Sequence, residues 1–412
     1  MPGTLPHAGA GVNGEPALGT VLAMAYDVVV IGSGLVGAST ANALVRRGAG
    51  RVLLLDRANA GAGDSGLTFG MVRRHYTNPV LIRMSMAGTD ILQRWDEEVG
   101  VGSSGYTPTG YLLPVPERLV DACRANVERQ RGLGLDTHLL APDEIADVEP
   151  LLSIDGVAAA AFEPAGGVCD SRLMIDGWLL DALGRGLELR QHAPVAEVVM
   201  QGDRATGVRL ADGEEIAAGQ IVVATGCWAP ELLRGIWEVP FQLVRIQVAV
   251  LRLPPGQAAP AAVTSDAVSN VVVRSAAGRD IWVVAYMPDT PEIAVRDDCQ
   301  LPLLDGYDAA IRGPLGERFP TLADAPLVGG WGGAYDATPD WHPLVGPVPG
   351  TDGLLLCAGW SGHGLKSTPA AGRVMADLVL GTEPSIDVAD LDPARFAEGR
   401  LNACAYGPGA RA

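Results

Sequence analysis

Tyr26-Asp-Val-Val-Val-Ile-Gly-Ser-Gly-Leu-Val-Gly37 decides the fold of this 412-residue chain. Its first half is a short, β-branched apolar run of the kind that forms a parallel strand covered on both faces. Its second half is G-x-G-x-x-G, and residues 35–47 then read as a helix. The spacing has a mechanical meaning. Gly32 makes the tight turn out of the strand and Gly34 lets a pyrophosphate approach the backbone. Gly37 lets the helix pack closely on the strand, while the helix N-terminus faces the anion. Ser33, Leu35 and Val36 complete the turn. A second strand, 51–56, ends in Asp56, 24 residues after Gly32 and within reach of ribose hydroxyls. Strand, turn, helix, strand and terminal acid stand in the order that a Rossmann-type dinucleotide site requires.

The composition narrows the class of partner. The formal net charge is −18, which argues against nucleic acid or an anionic membrane surface. No run reaches the ~18–20 apolar residues of a membrane span. Six cysteines (Cys123, Cys169, Cys227, Cys299, Cys357, Cys404) lie far apart with no C-x-x-C, so they read as reduced thiols of a cytoplasmic protein. The six histidines show no ligand spacing, and no metal is expected. Residues 1–24 have neither a charged n-region nor an apolar run; they read as a disordered tail. Of the 30 basic residues, 29 are Arg and one is Lys366.

Beyond residue 60 the pattern alternates between two styles. A Gly- and Ser-rich loop (61–70) precedes a helix at 78–99, and "GYLLPV" (110–115) reads as a strand before a charged helix, 117–133. A short helix (143–152), a strand (157–162) and a helix (171–186) follow. Strands 194–200, which holds Val195, 205–210 and 219–224 make a meander ending in "IVVATG" (221–226). From 240 to about 325 the long alternating runs "FQLVRIQVAVLRL", "NVVVRS" and "DIWVVAY" predict antiparallel sheet. A helix (305–318) then leads to a last one at about 369–380, opened by Ser367 and Thr368 with Pro369 in its first turn.

The expected architecture is therefore α/β (α+β overall): a Rossmann-type body interleaved with an antiparallel-sheet domain. Residues 25–106, 168–238 and 327–385 are assigned to the first, 107–167 and 239–326 to the second, and 386–412 to a C-terminal tail.

The Gly fingerprint alone does not choose between NAD and FAD. Three later stretches do: "AGAGDSGLTFGMVRRHYTNP" (60–79), "ATGCW" (224–228), and "TPDWHPLVGP" with "GWSGHGLK" near the C-terminus. Together with the fingerprint they resemble the D-amino-acid-oxidase-type flavoprotein superfamily, in its sarcosine oxidase (β subunit), dimethylglycine and glycine oxidase branch. The resemblance covers about 25–385. It implies FAD, a substrate domain whose sheet covers the flavin ring, and oxidation of an amino acid C–N bond to an imine by hydride transfer to flavin N5.

The resemblance also assigns residues. Arg73 matches the carboxylate-binding arginine, with Arg74 the alternate if the register slips by one, and Lys366 matches a second carboxylate ligand. His363 would lie near the flavin ring or incoming oxygen, and Tyr76, His75 and Tyr335 would line the substrate site. FAD would touch Arg57, Ser65, Gly66, Gly70, Met71, Val195, Thr225, Gly226, Trp228, Gly362, Gly364 and Leu365, besides the fingerprint and Asp56. Trp282 and Tyr286 alternate on one strand, where plain sheet packing is the better reading.

Departures matter as well. Monomeric sarcosine oxidases attach FAD through a cysteine two residues before the tyrosine of "YDATPD", where this chain has Gly333. Dimethylglycine-type relatives use a histidine in the 60–70 loop, and this loop has none. Non-covalent FAD is expected. The lysine that oxygen-reactive members carry over the flavin is missing because Lys366 is the only one. The electron acceptor is thus O₂, with Arg274 as a substitute cation, or a partner protein. A homo-oligomer and partner subunits are both compatible with the sequence.

Overall fold

In the computed structural model the described residues are 26–253, 255–276, 281–286, 292–293 and 300–406. The predicted tail 1–24, Cys299 and the side chain of Tyr286 lie outside them.

The opening stretch folds as read. Strand β1 (Tyr26–Ile31) leads through Gly32–Gly34 into helix α1 (Leu35–Arg46) and strand β2 (Val52–Leu55). β1 pairs in parallel with β2 on one side and with the long strand Glu215–Val223 on the other. Glu188–Arg190 extends the sheet beyond β2, and Leu354–Ala358 and Leu344–Pro347 extend it on the other side. The six strands run 344–347, 354–358, 215–223, β1, β2, 188–190, with only the 344–347 edge antiparallel. All residues of β1 except Asp27 are buried, because helices cover one face and the 195–223 meander covers the other.

The second sheet is mostly antiparallel and has nine strands, built on Gln242–Arg252, Val271–Ser275 and Ile281–Tyr286, with Tyr111–Val115 and Ala159–Glu163 farther along. Leu327–Ala337, expected with the Rossmann-type body, instead hydrogen-bonds along its length to Gln242–Arg252. Its glycines let it lie flat against that strand: a Cβ on Gly330 would meet the Val248 carbonyl oxygen at 2.6 Å. Trp282 packs edge-on against Phe319 at 5.8 Å in the far core of this sheet, so it has no part in the site.

Two helix readings need correction. Helix 78–99 breaks at Arg94 into Pro79–Gln93 and Trp95–Glu98. More consequentially, the final helix starts at Gly364, capped by His363, and runs to Val379 with Pro369 inside it. Ser361 and Gly362 take φ of 50° and 81°, a left-handed pair that turns the chain straight into the helix. Pro369 is tolerated six residues in, where it releases the Leu365 carbonyl from its usual partner. The Thr368 hydroxyl donates to the Gly364 carbonyl at 2.6 Å. Lys366 therefore sits inside the first turn and not ahead of it.

Tight contacts hold this helix in place. A Cβ on Gly372 would fall 2.2 Å from the Ser39 hydroxyl of α1, and one on Gly88 would fall 2.0 Å from the Lys366 carbonyl oxygen. The Ser39 hydroxyl donates to the Thr368 carbonyl at 3.0 Å.

Residues 386–406, read as a tail, are docked as well. Leu391 and Arg395 are buried, and Arg395 forms a bidentate pair with Asp340 at 2.9 Å through both oxygens. That pairing joins positions far apart in sequence, which local patterning does not reveal.

Candidate active site

One cavity of about 930 Å³ runs from the Rossmann turn to the first turn of the final helix. Of the residues singled out in the sequence, Gly32, Gly34, Leu35, Val36, Asp56, Arg57, Ser65, Met71, Val195, Thr225, Gly226, Trp228, Tyr335, Gly362, Gly364, Leu365 and Lys366 line it. Ser33, Gly37, Gly66, Gly70, Arg73, Tyr76 and His363 do not; they stand behind the wall.

The turn is built for close approach. Gly32 has φ +98°, and a Cβ there would fall 2.5 Å from the Ala224 carbonyl oxygen; one on Gly37 would fall 1.7 Å from the Gly32 carbonyl oxygen. Gly66 packs on the Gly61 carbonyl in the same way. The Asp56 carboxylate accepts from the Ser33 backbone N–H and hydroxyl, both at 2.6 Å, so its first task is to shape the turn. Its other oxygen accepts the Ala58 N–H at 2.9 Å, and the residue lines the cavity. The Ser65 hydroxyl accepts the Leu35 N–H at 3.0 Å, which brings the 60–70 loop onto the helix N-terminus. The Arg57 guanidinium lies 3.9 Å over the Trp228 ring, a flat platform on the cavity wall. The Thr225 hydroxyl, also on the wall, is buried without a hydrogen-bond partner. A glycine cradle at a helix N-terminus, a strand-end acid, an aromatic platform and an orphaned hydroxyl along one elongated cavity fit a dinucleotide such as FAD. Gly333 lines the same cavity and offers no side chain for a covalent link.

At the other end the chemistry is cationic. Lys366 is 2% exposed, yet it reaches the cavity wall. Among the described residues its ammonium makes no hydrogen bond or ion pair; its nearest aromatic neighbour is the Tyr76 ring, 5.4 Å from Nζ to centroid. The Arg73 guanidinium lies over the same ring at 4.2 Å, and His363 meets it edge-on at 5.3 Å. Arg73 donates to the His75 carbonyl and to His363 Nδ1, the latter at 3.3 Å. Because Arg only donates, Nδ1 must accept, which puts the imidazole proton on Nε2. That Nε2 is buried without a partner, as is the Tyr76 hydroxyl.

Burial first, and then Arg73 beside it, push the Lys366 ammonium well below its ordinary pKa. Burial, Arg73 and Lys366 do the same to His363, which is therefore neutral at physiological pH. His363 does not line the cavity but braces Arg73 from behind. His75, expected at the pocket, points the other way. Its Nε2 sits 2.7 Å from the Tyr406 hydroxyl and 3.0 Å from Asn126 Nδ2. Arg74 pairs with the fully buried Glu163, whose carboxylate also accepts the Arg74 N–H at 2.8 Å.

Sequence reading missed four participants. Asp64 and Asp336 both line the cavity. Burial, reinforced by Asp336, raises Asp64 to about 7, and burial raises Asp336 to about 6. Asp336 accepts N–H groups from Gly359 at 2.8 Å and Ser361 at 3.2 Å, fastening the turn that precedes Lys366. Glu163 and Tyr406 were the other two. The "YDATPD" motif contains Asp336, but only its pairing across the fold shows what the residue does.

Among the described residues no helix is long and apolar enough to cross a membrane. The five described cysteines are free.

Residues 27–378 match the family described as FAD dependent oxidoreductase, DAO. The chain is 27% identical to glycine oxidase of Pseudomonas putida over 390 residues, 92% of this chain and all of that one. It is 24% identical to mitochondrial dimethylglycine dehydrogenase of Rattus norvegicus, covering 90% of this chain but 45% of that longer protein. L-proline dehydrogenase from P. horikoshii superposes with a TM-score of 0.83 at 24% identity, over 92% of this chain and all of that one. With the dinucleotide cradle and the buried cation in place, the protein belongs to the DAO family of FAD-dependent oxidoreductases.

Proposed function

We propose that the protein oxidises the C–N bond of a small or N-alkylated amino acid (sarcosine-, glycine- or D-amino-acid-like) to the imine. The observation that carries this is Lys366: a buried amine on the cavity wall with no hydrogen-bond or ion-pair partner among the described residues. An uncompensated buried charge is costly, and a substrate carboxylate is the ligand that offsets it. Lys366 holds one carboxylate oxygen as a point charge. Arg73 adds field from behind the wall, fixed by His363 and the His75 carbonyl, and Tyr335 lines the cavity. The two cations also lower the pKa of the bound ammonium, so that its nitrogen loses a proton and presents a lone pair. Forming C=N then releases two electrons and one hydrogen from the carbon, which FAD accepts when bound. Holding the carboxylate at Lys366 limits which C–H bond is presented.

The cradle residues above would hold FAD without a covalent bond, within the discontinuous domain partition expected from the sequence, amended at 327–337. One further reading concerns electron disposal. Since Lys366 is already committed to the carboxylate, no lysine remains over the flavin, which favours a protein acceptor over O₂. The deciding experiment is anaerobic bleaching of the flavin by glycine, sarcosine, dimethylglycine, proline and D-amino acids, followed by peroxide measurement in air. Bleaching by amines that lack a carboxylate, and not by amino acids, would overturn the proposal. Peroxide released at the rate of substrate oxidation would overturn the protein-acceptor reading.

A further inference from the structure

Behind Phe69 and Met71 of the cavity wall the second sheet packs an apolar row formed by Val248, Val272, Val283 and Ala285, and one half-buried cation, Arg274, interrupts it. Arg274 follows Val272 by two residues and sits opposite Val283, so its side chain emerges on the same face. Its Nε donates to the Phe69 carbonyl, its Nη1 to the Ser275 carbonyl at 3.2 Å, and its guanidinium lies 5.1 Å from the Phe69 ring centroid. Phe69 itself lines the cavity. No hydrogen bond from Nη2 is made to any described residue. That nitrogen lies over Gly70, 3.5 Å from where a Cβ would be, three residues before Arg73. Cys169 lies between Arg274 and the Lys366 end of the site. The buried Cys169 thiol lies within electrostatic reach of both, and the Cys169 carbonyl packs on Gly70.

A cation placed on an apolar face and bonded to the Phe69 segment of the cavity wall, with one donor edge uncommitted among the described residues, needs a purpose. Packing alone would be served better by another valine. We propose that Arg274 receives a second carboxylate, so that the preferred substrates are amino acids carrying two: one held by Lys366, the other, on the side chain or the nitrogen, by Arg274. This rests on the role given to Lys366 above. Burial holds the Arg274 guanidinium down to about 10, opposed by Cys169 and Asp170, and a bound anion would restore it.

The test uses the FAD-loaded protein and ligand pairs that differ by one carboxylate. Methylthioacetate and thiodiacetate contain no amine to oxidise and report binding alone by calorimetry; sarcosine against N-carboxymethylglycine, and alanine against aspartate, report turnover and separate the two positions of the extra group. Wild type should prefer the dicarboxylate by about 10–100-fold, the worth of one charge-assisted hydrogen-bonded pair. Arg274→Gln, which keeps a donor for the Phe69 carbonyl, should erase that preference while monocarboxylates change by less than about threefold, and Arg274→Lys should restore part of it. Equal loss for both ligand classes in Arg274→Gln would show a packing role and overturn the inference. So would a wild type that binds monocarboxylates but gains nothing from the second group. If no amino acid reduced the flavin at all, the function proposed above would fail and this inference with it.

Discussion

Replacing Lys366 by Met should have opposite effects on catalysis and on stability. Met keeps the length and apolar stem of the side chain and removes the ammonium. In the substrate complex the loss leaves a desolvated carboxylate without its partner, a change of about 3–5 kcal/mol, so kcat/KM should fall by roughly 10²–10³-fold or more. The free protein should respond the other way. There Lys366 is 2% exposed and without an ion-pair partner among the described residues, so the apoprotein should become more stable by about 1–4 kcal/mol. The pH dependence follows from the depressed ammonium pKa. Between that depressed value and the ordinary lysine value of about 10.4, the unfolded chain holds a proton that the folded one has released. Stability of the wild-type apoprotein should therefore rise with pH across this window, and Lys366→Met should flatten the rise. Carboxylate binding raises the ammonium pKa again, so methylthioacetate should bind with uptake of up to one proton in wild type and none in the variant. Calorimetry in two buffers of different ionisation enthalpy measures this directly. A variant that keeps kcat/KM within threefold, or that takes up the same proton, would refute the reasoning; so would loss of FAD, which would place Lys366 in the cofactor's support.

Three other perturbations probe the supports. Tyr406→Phe removes the 2.7 Å contact to His75 and should raise KM for carboxylate substrates about 3–10-fold with kcat and FAD content unchanged, as steady-state kinetics will show. Arg74→Gln leaves the fully buried Glu163 without its cation and should cost about 3–5 kcal/mol in denaturant unfolding. Asp64→Asn addresses the acid pair: with folded values raised to about 7 and about 6, the folded state keeps protons the unfolded state has lost, so apoprotein stability should fall as pH rises from 4 to 7. The variant should lose much of that slope in thermal melts.

The nucleotide half of the site was legible because its function rests on local backbone geometry. Gly32 takes a positive φ and Gly37 packs on the Gly32 carbonyl five residues before it, and Gly32-to-Asp56 spacing is set by one strand–helix–strand unit. Lys366 was legible for a different reason, as the one lysine in an arginine-rich chain. What could not be read depends on contacts between distant segments. Asp64 meets Asp336 and Arg74 meets Glu163 only after the second sheet closes over the first. Tyr406 reaches His75 from a segment whose composition resembles a tail. Pro369 misled the helix boundary because Pro is the commonest first-turn residue; its tolerance deeper in the helix depends on the Leu365 carbonyl doing without a backbone partner, a tertiary fact.

The buried cations of this fold sort themselves by what faces them. Arg318 and Arg395 are 3% and 1% exposed, and each meets a carboxylate at 2.8–2.9 Å, Asp266 and Asp340 respectively. Arg74 has Glu163. In these cases a planar, permanently charged fork is matched by an acid within the chain, and burial is tolerable because the pair is complete. Lys366 is as buried but faces the cavity, in the first turn of a helix whose dipole adds to its positive field. A guanidinium would stay charged there at every physiological pH, whereas an ammonium can release its proton when the site is empty and regain it when an anion arrives. Under the function proposed above, that reversibility is the reason for a lysine at this one position: the charge is present when a carboxylate is, and its cost is avoided when none is bound.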